Sequence, residues 1–78
     1  MRHTDAKEGR AVKVKKEFSL SGDMSIPVDK DTPSRSIIRK GTRGTVTGSS
    51  LRIRGGSYVP VKINGKQLDV RVEYLELA

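Results

Sequence analysis

Apolar and polar residues alternate along most of this chain, a pattern that predicts strands rather than helices. The first run, residues 11–18, places Val12, Val14 and Phe18 on one side of a strand and mainly charged side chains on the other. Lys16 falls on the apolar side, which predicts either a bulge or a lysine whose amine reaches solvent. Val and Ile together outnumber Leu thirteen to five, and β-branched side chains favour a pleated sheet.

The strongest local signal is the dipeptide Asn64-Gly65, which separates two alternating runs. Val59, Val61 and Ile63 alternate before it, and residues 68–72 alternate after it. A type I′ turn needs positive φ at both central positions, and Asn-Gly is the dipeptide that adopts it most readily. The sequence therefore predicts a β-hairpin centred on Asn64-Gly65.

Two stretches lack a sustained pattern. Residues 1–9 are polar and predict a mobile tail. Residues 19–36 are rich in Ser, Asp and Pro and predict a long loop. Within that loop the alternation of Met24, Ile26 and Val28 is compatible with a short strand pair docked on the core. Residues 10–78 as a whole are predicted to form a single domain, because the chain is too short for two ordinary ones.

Glycine positions and register predict two further elements. Gly41 and Gly44 flank two residues just before a run that begins at Thr45, which predicts a tight turn feeding a strand. Near the end, the apolar parity slips by one residue between Val72 and Leu75. A short 3₁₀ turn there, followed by a brief final strand, would restore the register of the sheet.

The charge of the chain is unevenly placed. Sixteen Lys and Arg against nine Asp and Glu give a net charge of +7. Residues 32–68 contain eight of the basic side chains and no acidic one. The net positive charge of this stretch is therefore larger than that of the whole chain. Such a stretch is compatible with an ordinary soluble surface that balances acids elsewhere, or with an anionic partner.

Composition excludes several classes of protein. The 78 residues contain no cysteine, so a disulfide framework and a thiolate site are both excluded. No apolar run approaches the roughly 18 residues of a membrane span, and the first twenty residues lack the apolar stretch of a secretory signal. We therefore expect a soluble, cytoplasmic protein with no membrane association.

Candidate catalytic residues are sparse. His3 is the only histidine and lies in the predicted tail, so no hydroxyl nucleophile has an ordered base beside it. Asp23, Asp29 and Asp31 lack the full spacing of a calcium-binding loop. We therefore expect no enzymatic activity, no cofactor and no metal.

Binding to an anion is the better-supported hypothesis. If the glycine turn and the run at 51–54 are neighbours, their basic side chains would converge on one face and contact phosphates. Tyr58, which follows directly, would either stack on a base or pack at the rim of the core. The candidate nucleic-acid-binding residues are Arg35, Arg39, Lys40, Arg43, Arg52, Arg54 and Tyr58.

The order of these elements resembles the SH3-like small barrel. The resemblance covers residues 9–77 and depends on the first strand, the long loop, the basic glycine turn of residues 40–46 and the closing segment 74–77. It implies an all-β fold of about five short antiparallel strands with a 3₁₀ turn before the last. Barrels with the KOW motif, which bind nucleic acid or its machinery, have a similar glycine turn. The photosystem accessory subunit PsaE, which docks other proteins, is similar in size and in its terminal strands.

Two functions follow from the resemblance and the charge. In one, the chain binds the phosphate backbone of DNA or RNA through the basic patch of residues 35–54. In the other, it is a small non-enzymatic adaptor or regulatory subunit that docks an acidic surface of a larger protein complex. A homo-oligomer formed through open sheet edges is compatible with either function.

Overall fold

A computed structural model of the chain describes residues 5–53 and 55–78, and the regular elements in that part are strands and short 3₁₀ turns. His3 and Arg54 lie outside the described residues. The 3₁₀ turns span Ser34–Ser36 and Val72–Tyr74. The strands are β1 (Ala11–Val14), β2 (Ser19–Ser21), β3 (Met24–Ile26), β4 (Arg43–Val46), β5 (Leu51–Ile53), β6 (Gly56–Ile63), β7 (Lys66–Arg71) and β8 (Leu75–Leu77).

The eight strands form one mixed sheet. Its hydrogen-bonded order is β2-β3-β7-β6-β4-β1-β8, and β5 pairs with β6 beside this path. Every pair is antiparallel except β3 with β7. In the described part of the chain β2 and β8 end the path without pairing to each other, so the sheet is not closed. The all-β class is confirmed. The sequence predicts about five strands, all antiparallel, whereas the described chain has eight strands and one parallel pair.

The predicted hairpin is β6–β7. Six residue pairs join the two strands, from Tyr58 with Arg71 to Ile63 with Lys66. Asn64 has a φ of 52° and Gly65 a φ of 79°, the positive values that a type I′ turn needs. The turn therefore fixes which residue of β6 lies opposite which residue of β7 along the whole hairpin.

The segment 19–36 contains more order than a loop. β2 and β3 form a hairpin, and β3 then lies parallel to β7 with Met24 opposite Asp69. The Asp69 amide donates to the Asp23 carbonyl at 2.7 Å, and the Arg71 amide donates to the Ser25 hydroxyl at 2.9 Å. These bonds dock the hairpin on β7, which raises the number of strands above the number expected.

The core lies on one face of the sheet and consists mainly of side chains from β1, β4, β6, β7 and β8, together with Phe18 after β1 and Tyr74 in the second 3₁₀ turn. Phe18 is fully buried, and its ring stacks on Tyr74 with centroids 5.6 Å apart. The main apolar residues of this core are Val12, Val14, Phe18, Val46, Val59, Val61, Ile63, Leu68, Val70, Tyr74 and Leu75. No helix among the described residues is long and apolar enough to cross a membrane.

The chain bends where Lys16 interrupts the apolar side of the first run. The amides of Lys15 and Lys16 both donate to the Tyr74 carbonyl, at 2.7 and 3.3 Å. Two successive amides that face one carbonyl are the pattern of a bulge, and the side chain of Lys16 is exposed. Tyr74 belongs to the 3₁₀ turn Val72–Tyr74, which precedes the last strand as the parity slip predicts.

Candidate nucleic-acid interface

The glycine turn lies against the end of β1. The Gly41 amide donates to the Val14 carbonyl at 2.8 Å, and the Val14 amide donates to the Thr42 carbonyl at 2.8 Å. Farther along, Phe18 and Ile38 exchange backbone hydrogen bonds at 3.2 and 2.7 Å. The residues between these two pairings, 15–17 on one segment and 39–40 on the other, therefore face each other.

The two facing segments and the strand ends beside them carry a group of basic side chains. Arg43 pairs with Lys13 across β4 and β1, which adds one cation from each strand to those of the segments. We call the following six residues the basic cluster. They are Lys13, Lys15, Lys16, Arg39, Lys40 and Arg43.

Little negative charge offsets the basic cluster. Lys13 forms an ion pair with Glu76 at 3.5 Å, and Glu17 lies within the first facing segment. Among the residues that the structure describes, the other five side chains of the cluster form no ion pair, and all five are exposed. Unneutralised cations on a surface attract polyanions and raise their local concentration.

Arg35 lies farther along the same edge. It occupies the 3₁₀ turn Ser34–Ser36, and the Ser19 hydroxyl donates to the Ser36 carbonyl at 3.3 Å. This bond places the turn beside the start of β2, next to the pairing of Phe18 with Ile38. Arg35 is exposed there, beyond the pairing of Phe18 with Ile38 and outside the basic cluster.

Arg52 lies elsewhere, because β4 and β5 occupy successive stretches of one edge of β6. Thr45 of β4 pairs with Lys62, whereas Arg52 of β5 pairs with Ser57. These two positions on β6 are about 17 Å of strand apart. The structure thus brings Arg39, Lys40 and Arg43 together, with Arg35 nearby, and separates Arg52 from them along β6.

Tyr58 faces a groove on the side of the sheet away from the core. In the register of the hairpin it lies opposite Arg71, whose guanidinium carbon is 5.9 Å from the centre of the tyrosine ring. The groove has a volume of about 460 Å³ and lies within the range of ordinary ligand sites. We call it the outer groove. It is lined by Met24, Ile26, Ile53, Gly56, Tyr58 and Arg71, with two serines.

Arg71 is the functional candidate that the sequence pattern does not single out. Its Nε is shielded from solvent and lies 2.5 Å from Glu73 Oε1, an ion pair without the alignment of a hydrogen bond. Its neighbours Asp69 and Glu73 mask it in a charge count. The signal that could have found it is the hairpin turn, since counting outward from Asn64-Gly65 sets it opposite Tyr58.

The two tyrosines have different roles. Tyr74 is buried against Phe18, and this burial raises the pKa of its phenol above the ordinary value, although nearby Arg71 opposes the shift. Tyr58 is only partly buried and lines the outer groove. Of the two, Tyr58 is therefore the ring that a ligand can reach.

The Asp29 carboxylate stabilises the loop that follows β3. Asp29 Oδ1 accepts hydrogen bonds from the Asp31 amide at 2.8 Å and from the Thr32 hydroxyl at 3.1 Å. The Thr32 hydroxyl in turn accepts from the Asp29 amide at 3.0 Å. No group of three or more His, Cys, Asp and Glu suited to a metal ion occurs within 5–53 and 55–78.

Comparison of the chain with protein-family models, with curated proteins and with solved structures finds no match.

Proposed function

We propose that this protein is a small, non-enzymatic nucleic-acid-binding domain that contacts the phosphate backbone of DNA or RNA through the basic cluster. We further propose that its central strands form an SH3-like small barrel. The sheet order β8-β1-β4-β6-β7 supports this arrangement, with the β2–β3 hairpin and β5 as additions to it. A location inside the cell, where proteins rarely contain disulfides, is compatible with a sequence that has no cysteine.

One observation carries the proposal. Two exposed segments, held face to face by the pairings of Val14 with Gly41 and of Phe18 with Ile38, bring four cations together without ion-pair partners in the described chain. A phosphate backbone presents a regular row of negative charges, and each Lys or Arg that contacts it releases a counterion. The expected binding is therefore sensitive to salt and largely independent of sequence.

A second candidate function is docking on an acidic surface of a larger protein. Ile26 and Leu51 favour it, because their side chains are 39% and 48% exposed and a protein partner would bury them. In that case the basic cluster would pair with carboxylates instead of phosphates. A partner that stays bound after nuclease treatment would support this function over the first.

The proposal is tested by comparing two double variants that remove equal charge. R39Q/K40Q removes two cations of the basic cluster, whereas K62Q/K66Q removes two exposed cations beside the Asn64-Gly65 turn. We expect R39Q/K40Q to bind a labelled 20-nucleotide strand about 10-fold or more weakly at 50 mM salt, because it loses two phosphate contacts. K62Q/K66Q should bind as the wild type does, measured by fluorescence anisotropy.

Two results would contradict the proposal. One is an absence of wild-type binding at low salt to single-stranded and double-stranded DNA and RNA alike. The other is an equal loss of affinity in both variants, which would mean that net charge rather than the basic cluster determines binding.

A further inference from the structure

The geometry points to the outer groove as a site for one unpaired nucleobase, so that the protein binds single strands in preference to duplexes. This inference rests on the proposed function and deepens it. The basic cluster accounts for attraction to any nucleic acid, whereas the outer groove would determine which form of it is bound.

The first argument is the pairing of two planar groups in the groove. Tyr58 and Arg71 are direct partners across β6 and β7, so their side chains project from the same face of the hairpin. An aromatic ring and a guanidinium plane are the two kinds of side chain on which unpaired bases stack. Tyr58 is the tyrosine that remains partly exposed, since Tyr74 is buried in the core.

Gly56 is buried beneath both planar groups and lets them pack close to the backbone of β6. A Cβ at this position would lie 3.3 Å from the Tyr58 Cε1 and 3.4 Å from the Arg71 Cζ and Nη2 atoms. Any side chain at this position would therefore occupy the space beside the ring and the guanidinium. The ring and the guanidinium, which lie over Gly56, are therefore the flat surfaces of the groove that a ligand can meet.

The walls of the groove also fit a base. Ile26 and Ile53 line it and offer apolar contact to the edges of a base. Among the described residues that line it, Arg71 is the one charged side chain, and Glu73 pairs with its Nε. The groove therefore matches the flat part of a nucleotide, and the contacts to phosphate come from the basic cluster.

The groove also connects to the basic cluster. Arg71 directly precedes the turn Val72–Tyr74, and the Tyr74 carbonyl holds the amides of Lys15 and Lys16. Three residues of 3₁₀ turn advance the chain by about 6 Å. This short backbone connection is compatible with a strand that has one base in the outer groove and its phosphates along the basic cluster.

A base-deleted probe separates stacking from phosphate contact. We would measure the affinity of the protein for a ten-nucleotide oligothymidylate and for a strand of the same length that is abasic at every position, which has an equal number of phosphates. The wild type should bind the intact strand about 5- to 150-fold more tightly, the range expected for stacking of one base on an aromatic side chain. A ten-base-pair duplex should bind no better than the abasic strand.

The variants then assign this difference to the groove. Y58A should bind both strands with the affinity of the wild type for the abasic one, because the ring is gone and the phosphate contacts remain. Y58F keeps the ring and should retain the difference. G56A, whose Cβ would press on the Tyr58 ring and the Arg71 guanidinium, should reduce the difference by displacing both groups. Circular dichroism would verify the fold of each variant.

Failure of this inference is distinguishable from failure of the proposed function. Equal wild-type affinity for intact and abasic strands, or an unchanged difference in Y58A, would overturn the base site while leaving the basic cluster intact. R39Q/K40Q should lower the affinity for the intact strand and for the abasic strand by the same factor. A change in the ratio of the two affinities would therefore also count against the base site. An absence of binding to any strand at low salt would overturn both.

Discussion

The basic cluster and the outer groove differ in the kind of side chain that forms them and in how those side chains are held. The basic cluster consists of mostly exposed, charged side chains on β1, β4 and the two facing segments, which are joined to each other at Val14 and at Phe18. The outer groove consists of partly buried, mostly uncharged side chains on strands held by hairpin pairing. Binding of a nucleic acid to the basic cluster should depend on ionic strength, whereas binding to the outer groove should depend on the shape of the ligand.

The two regions also depend on different parts of the core. Phe18 lies beneath the basic cluster, fully buried, and its backbone pairs with Ile38 to hold the facing segments together. The outer groove has the hairpin β6–β7 as its base, whose opposite face carries Val59, Val61 and Val70 into the core. A single substitution can therefore disturb one region more than the other.

The largest expected effect comes from F18A. Removing this ring leaves a cavity against Tyr74, and we expect a loss of about 3–5 kcal/mol in the free energy of unfolding, measured with urea. I26A is the contrasting variant, because Ile26 is exposed on the wall of the outer groove, and it should change stability by less than about 0.5 kcal/mol. Similar losses in both variants would mean that the two faces of the sheet are equally packed.

A pair of glycine substitutions gives a smaller effect that separates the regions. A Cβ at Gly44 would lie 2.7 Å from Ile63 Cγ1 and 3.0 Å from the Lys62 carbonyl oxygen. G44A should therefore cost about 1–3 kcal/mol of stability, as overpacking does. Because its neighbours at 3.3–3.4 Å need only shift slightly, G56A should cost less. Equal melting temperatures for G44A and G56A would contradict the close approach of β4 to β6.

The hairpin and its register could be predicted from the sequence, and the docking of distant segments could not. A two-residue turn at Asn64-Gly65 fixes every pair of β6 and β7 by counting, including Tyr58 with Arg71. The parallel contact of Met24 with Asp69 leaves no such local mark. It forms because β3 meets a free edge of β7, which depends on the tertiary arrangement of the chain.

The candidate site was predictable in part for the same reason. The carboxylate-free stretch identifies Arg39, Lys40 and Arg43 as a group, and they adjoin one another in the glycine turn and at the start of β4. Lys15 and Lys16 join them only through the pairing of β1 with that turn. The sequence predicts that Arg52 shares this face. The structure places it elsewhere, because β4 and β5 lie one after the other along β6.

The most direct test of the central claim is the slope of log affinity against log salt concentration for one labelled duplex. If the basic cluster contacts the backbone, the wild type should lose about 10²- to 10³-fold in affinity between 50 and 200 mM salt, which corresponds to about four to six phosphate contacts. R39Q/K40Q should flatten the slope by about 2, and K62Q/K66Q should leave it unchanged. A slope that R39Q/K40Q does not alter would contradict the assignment of phosphate binding to the basic cluster.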